Sequence, residues 1–152
     1  MNLPVTEHLI YISLILILIC ATITDLRERL IYDRFVLVGV AFSLGIHLYD
    51  HQHSWMEYIL TGLGAFLALA VIAIMTKGGA IGGGDIKLFA MIGFAAGLEG
   101  FLSIFILSHV LAAIWIVGKK LFSSQSLTRK SELPFAPFIL TGTVGTYLYM
   151  II

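Results

Sequence analysis

The stretch Ile86-Lys87-Leu88-Phe89-Ala90-Met91-Ile92-Gly93-Phe94-Ala95-Ala96-Gly97-Leu98-Glu99-Gly100-Phe101 decides the fold. Read unbroken on to Val117, it is one long helix. Broken at Gly97 and Glu99-Gly100, it becomes two apolar runs, Ile86–Leu98 and Phe101–Val117. Four further apolar runs lie outward from it: Leu9–Ile23, Phe35–Tyr49, Met56–Met75 and Phe135–Ile152. Several fall short of the roughly 20 residues that a spanning helix needs, so polar flanks must complete them. Charge decides between the two readings. With six runs, the first, third and fifth loops share one side of a membrane. All nine basic residues then fall in or beside those loops: Arg27, Arg29, Arg34, Lys77, Lys87, Lys119, Lys120, Arg129 and Lys130. Merging the two runs would set Lys119–Lys130 opposite Lys77. Loops rich in Lys and Arg stay cytoplasmic. The sequence therefore predicts an all-α integral membrane protein with six transmembrane helices, both termini on the outer side, and one domain over residues 1–152.

Composition agrees. Of 152 residues, 59% are hydrophobic and 12% are charged, against about 25% charged in an ordinary soluble domain. So few charges cannot cover a soluble fold of this size, and the apolar content excludes a disordered chain. Mean hydropathy is +1.01. Nine basic and nine acidic residues cancel, so net charge points to no nucleic-acid partner. The single cysteine, Cys20, permits no internal disulfide and no thiolate zinc site; inside its apolar run it reads as a buried small hydrophobe. The N-terminal run has no basic segment before it, carries Glu7, and shows no small-x-small cleavage site after Cys20, so it reads as a retained helix. Ser123–Glu132 is the one linker-like stretch, read as a solvated loop beside lipid headgroups. Gly93-Phe94-Ala95-Ala96-Gly97 carries small residues at the spacing that suits close helix packing.

An ionisable group near membrane depth is costly and calls for a reason. Most of the acids sit in loops or at outer ends, where water explains them. Asp25 and Asp85 differ. Asp25 directly follows Leu9–Ile23 and Thr24, whereas Asp85 immediately precedes Ile86–Leu98. The topology places both at the same depth on the basic side. Two carboxylates sharing a site cannot both ionise cheaply, so one keeps a proton at neutral pH. The protonated one polarises a carbonyl while the ionised one takes a proton from water, as in an aspartic-protease dyad. Before Asp85, Gly78-Gly79-Ala80-Ile81-Gly82-Gly83-Gly84 holds five glycines in seven residues. Backbone without Cβ atoms can unwind and admit an extended peptide closely, and irregular backbone at membrane depth is tolerated where it lines a wet cavity. Plainer accounts stand beside this one: a flexible loop, an acid at a helix N-terminus, and Asp25 paired with Arg27 or Arg29. A phosphate loop needs Gly-Lys-Ser/Thr, which does not occur; a dinucleotide fingerprint needs a strand–helix context that is absent.

These residues resemble the type IV prepilin peptidases, membrane aspartic proteases with a Gly-x-Gly-Asp motif. Gly82-Gly83-Gly84-Asp85-Ile86-Lys87-Leu88 is similar to that family's Gly-x-Gly-Asp-x-Lys-Leu. Asp25-Leu26-Arg27, followed by Leu30-Ile31-Tyr32-Asp33-Arg34, is similar to the segment with its first catalytic Asp. Tyr32 and Asp33 stand where the family usually has Pro and Asn, and Asp33 is expected to cap the second helix as Asn would. Pro134-Phe135-Ala136-Pro137-Phe138 is similar to the Pro-rich start of the family's last helix. The resemblance implies a single transmembrane peptidase domain with Asp25 and Asp85 as its catalytic pair. Gly82, Gly83 and Gly84 would form the substrate approach, with Lys87 and Arg27 in support. It implies no metal and no cofactor. The substrate would be a prepilin or pseudopilin, cut between a basic leader and its hydrophobic helix. The enzyme would sit in the cell's inner membrane, with the site facing the cytoplasm. Longer members carry paired Cys-x-x-Cys zinc ligands, and some methylate the new N-terminus; lacking those cysteines, the chain is similar to the short, peptidase-only form.

Other features carry less. His51-Gln52-His53 lies in the second, outer loop and reads as a surface pair. Lys87 sits roughly 200° around a helix from Asp85 and is expected to point away from it, either snorkelling to headgroups or touching substrate. Glu28 and Glu132 read as solvated loop acids. Presenilin and signal-peptide-peptidase enzymes share Gly-x-Gly-Asp, but they pair it with a Tyr-Asp and a Pro-Ala-Leu. Here Tyr49-Asp50 falls at the outer face and no Pro-Ala-Leu occurs. A small transporter or assembly subunit would favour polar residues midway along the spans, which hold few (Ser43, His47, Ser103 and His109) and no acid.

Overall fold

The computed structural model describes residues 3–77, 81–122 and 133–152, so Gly78, Gly79, Ala80 and the Ser123–Glu132 loop lie outside the described residues. Among the described residues the fold is all-α. Its helices are α1 (Val5–Glu28), α2 (Asp33–Tyr49), α3 (Trp55–Met75), α4 (Gly83–Phe122) and α5 (Ala136–Ile151). Helix ends follow local chemistry. Ser54 accepts the Glu57 N–H at 3.2 Å to cap α3. α1 closes with Arg29 in the left-handed region, its N–H returned to the Asp25 carbonyl. Asp33 does not cap α2 as expected: Tyr32 holds that position without a side-chain bond, because the Asp33 carboxylate is turned to Lys87.

The stretch 86–101 resolves into two rods. Gly97 interrupts α4 with φ 67 and ψ −175, a left-handed backbone that glycine adopts without a Cβ penalty. The halves 83–96 and 98–122 fold back on one another. The Phe89 ring lies 6.3 Å from Phe101, 5.0 Å from Phe105 and 5.8 Å from His109. At about 1.5 Å per residue, a straight helix would hold Phe89 and Phe105 some 24 Å apart. The Leu98 N–H, orphaned by the break, is accepted by Glu57 Oε1 at 3.3 Å.

The first half of α4 is the central post. Leu88, Phe89, Met91 and Ile92 are fully buried, and α1, α2, α3 and α5 all pack against α4. Glycines set the closest approaches. A Cβ on Gly93 would meet the Thr61 carbonyl at 3.1 Å, and one on Gly62 would meet the Ala90 carbonyl at 3.0 Å, so these two glycines bring α3 and α4 together. Outward, the bundle is apolar: Leu16 and Leu37 are 60% and 68% exposed. Cys20 belongs to this outer face, correcting the expectation of burial; an apolar run on a peripheral helix turns one side outward wherever lipid, not water, is the solvent. Val5–Glu28, Trp55–Met75 and Gly83–Leu121 are long and apolar enough to cross a membrane, and Ala136–Ile151 is a shorter apolar helix.

Candidate active site

Because α4 doubles back, its second half returns toward the end where the first half starts, and that start lies beside the C-terminal end of α1 and the start of α2. Every described Lys and Arg is at this end. The opposite end gathers acids and histidines: Thr6 donates to Asp50 at 3.1 Å, His8 Nδ1 lies 2.8 Å from the Tyr147 hydroxyl, and His53 pairs with Glu57 at 3.4 Å. His51 and His53 are thus away from the basic end, as expected, and no described cluster of His, Cys, Asp and Glu is arranged to hold a metal ion.

At the basic end, the last turn of α1, the 29–33 connection and the first turn of α4 enclose a cavity of about 710 Å³. Asp25 and Asp85 both line it. α1 contributes Asp25, the connection adds Arg29, Leu30, Ile31 and Tyr32, and α2 opens with Asp33. The start of α4 supplies Gly82, Gly83, Gly84, Asp85 and Lys87. The glycines have distinct roles. A Cβ on Gly84 would stand 2.8 Å from the Ile31 Cβ, so Gly84 lets α4 begin against the connection that follows Asp25. A Cβ on Gly82 would come within 3.2 Å of Asp85 Oδ2, while Gly83 has open space around it.

The carboxylates are held differently. Asp25 is buried, at 8% exposure, and its Oδ2 accepts the Ala136 N–H at 3.0 Å. Among the described residues it forms no ion pair with Arg27 or Arg29, which removes the plainer account of Asp25 as a paired boundary residue. Asp85 stands at the mouth of α4, before its apolar run, and its Oδ1 is buried without a partner.

Lys87, expected to point away from Asp85, lines the same cavity. Its Nζ meets Asp33 Oδ1 at 2.6 Å and ties the start of α4 to the start of α2 across the cavity rim. Arg27 is exposed at the end of α1 and does not line the cavity; Arg29 does. The spacing of Asp25-Leu26-Arg27 gave no sign of this exchange, which depends on where α1 stops. Ala136 and Ile31 were also missed. The prolines at 134 and 137 mark a helix start, and a helix start offers free N–H groups, but nothing local says which acid receives them. Behind Ala136, Phe135 packs on His109 at 5.0 Å and Phe89 at 6.2 Å, which fixes the start of α5.

The type IV leader peptidase family matches residues 12–117 of the chain. The chain belongs to that family. The Prepilin leader peptidase/N-methyltransferase of Bacillus subtilis (strain 168) is 36% identical over 148 residues, 97% of this chain. The alignment covers 57% of that relative, so the chain spans little more than half its length. No solved structure matches. The type IV leader peptidase match includes both carboxylates and both halves of α4, whereas Ala136 lies beyond residue 117 and within the longer alignment's reach.

Proposed function

We propose that this chain is a membrane-embedded aspartic endopeptidase that removes the leader peptide of type IV prepilins or pilin-like proteins at the cytoplasmic membrane face. One observation carries the reading: Asp25 and Asp85, sixty residues apart in sequence, line one cavity. Family membership and the name of the Bacillus subtilis relative support the substrate class.

In this reading the pair holds one proton. The ionised carboxyl takes a proton from water as the water oxygen bonds to the scissile carbonyl carbon. The protonated carboxyl donates to the developing oxyanion. Collapse of the tetrahedral diol breaks the C–N bond: the amine leaves with the proton held by the pair, while one diol hydroxyl gives its proton back to the pair as the new carboxyl forms, so the dyad regains its single proton. Gly82, Gly83 and Gly84 leave space at the cavity wall for an extended backbone. Six crossings, both termini outside, and a site facing the cytoplasm of the cell's inner membrane follow from the positive-inside rule, with lipid as the surrounding partner. Neither alternative gains support. Tyr49-Asp50 adjoins Thr6, at the far end of α1 from Asp25, which disfavours a presenilin-like pairing, and no feature favours a transporter.

The test is co-expression with the organism's candidate prepilins, reading the mass of the pilin product. The expected outcome is loss of the leader with the wild type and an unprocessed product with Asp25→Asn and with Asp85→Asn. Full processing by either variant would overturn the reading.

A further inference from the structure

Two contacts join the segment that follows Asp25 to the helix turn that carries Asp85. One is apolar: a Cβ on Gly84 would stand 2.8 Å from the Ile31 Cβ, so the bare α4 backbone rests on Ile31. The other is ionic: Lys87 Nζ meets Asp33 Oδ1 at 2.6 Å. Gly84 and Lys87 are three positions apart in α4 and share one face of its start. Tyr32, between Ile31 and Asp33, is directed instead to α1, where its hydroxyl donates to Glu28 Oε2. Its backbone is extended, and neighbours in an extended segment point to different sides. The two contacts with α4 therefore bracket Asp85, one immediately before it and one two residues after.

We propose that Asp33 and Lys87 are positioning residues whose ion pair, acting with the Ile31–Gly84 contact, sets the spacing between Asp25 and Asp85. The proposal rests on the dyad reading above and deepens it. The pair adds little to the stability of the fold, because its side chains are 44% and 66% exposed and water screens exposed pairs. Its leverage is on geometry. The end of α1 and the connection after it line the cavity from one side and the start of α4 from the other, and the pair joins the two sides. An acid displaced by about 1 Å loses its alignment with water and the scissile carbonyl, which can cost about 100-fold in rate. Asp33 stands where the resembled family usually has Asn, so the charge on this contact belongs to the present sequence.

The other charged groups near the rim do not make this link. Glu28 takes the Tyr32 hydroxyl, and the Arg34 guanidinium lies over the Tyr32 ring, 4.4 Å from its centroid. Arg29 lines the cavity but forms no ion pair with either acid among the described residues. The Ala136 N–H holds Asp25 at 3.0 Å, whereas the place of Asp85 follows from how α4 starts.

Two measurements test it. The first takes cleavage rates of the purified full chain on a prepilin that the wild type processes. Asp33→Lys and Lys87→Asp, each of which sets like charges face to face, are expected to lower kcat about fivefold. KM should change less than about twofold, and the melting midpoint should stay in place. The double variant Asp33→Lys/Lys87→Asp restores opposite charges and should recover most of kcat. Unchanged kcat in the single variants, a loss carried by KM alone, or a double variant no better than the two losses combined overturns the proposal; direct contact of Lys87 with substrate would give the last two results. The second measurement needs no substrate. Asp25→Cys and Asp85→Cys are combined in a Cys20→Ser background, and the rate of disulfide formation under a mild oxidant is read. Adding Asp33→Lys is expected to slow it about fivefold, and adding Lys87→Asp as well should restore it. Equal rates, or no disulfide with Asp33 intact, overturn the proposal. Should Asp25→Asn or Asp85→Asn still process prepilin, the catalytic reading falls, while the disulfide rate still reports whether the ion pair sets the spacing of the two positions.

Discussion

At the scale of single residues, the cavity depends on small clearances. Gly84 faces Ile31 with no room for a methyl group. Gly84→Ala is therefore expected to cost about 1–3 kcal/mol of stability, the usual penalty of overpacking, and to lower cleavage. Ile31→Gly in the same chain, which removes the facing Cβ, should restore part of both, which a double-mutant cycle in detergent would read as coupling.

At the scale of elements, the break in α4 and its partners make distinct predictions. Gly97 combines φ 67 with a site where a Cβ would stand 3.2 Å from Glu57 Oε1 and His53 Cδ2. Gly97→Ala is expected to cost about 1–3 kcal/mol through its left-handed backbone alone, measured as a lowered unfolding midpoint. Glu57→Ala, which removes the acceptor for the Leu98 N–H, should cost about 1 kcal/mol, as loss of a helix cap does, and Glu57→Gln should recover most of it. The Lys87–Asp33 pair joins α2 to α4 at 44% and 66% side-chain exposure. Such a pair contributes only about 0–1 kcal/mol. Asp33→Asn should leave the melt nearly unchanged and reduce its dependence on salt.

At the scale of the whole molecule, the hairpin in α4 gathers every described Lys and Arg at the end that carries Asp25 and Asp85. In a Cys20→Ser background, cysteines placed at His51 and at Lys119 are expected to react with a charged thiol reagent from opposite faces of sealed inner-membrane vesicles. Labelling of both from one face would refute the topology. Much of this was legible in the residues. Apolar runs mark the helices because near-spanning runs of apolar residues favour them, and Gly97 beside Glu99-Gly100 marks the break because a positive φ suits glycine. Asp25 and Asp85 stand out because an acid at membrane depth needs a reason. The rest depends on distances that no local pattern records. Cys20 turned outward because α1 packs along one face only. Asp33 left its capping place because Lys87 approaches from another helix, and Arg29 replaced Arg27 in the cavity because α1 ends one turn past Asp25. Sequence alone determined the helices, the side on which the charges gather, and which two acids to suspect. Only the tertiary structure decided that those acids share one cavity and that the Ala136 N–H reaches Asp25, because meetings between residues sixty or more positions apart are set by how the helices pack.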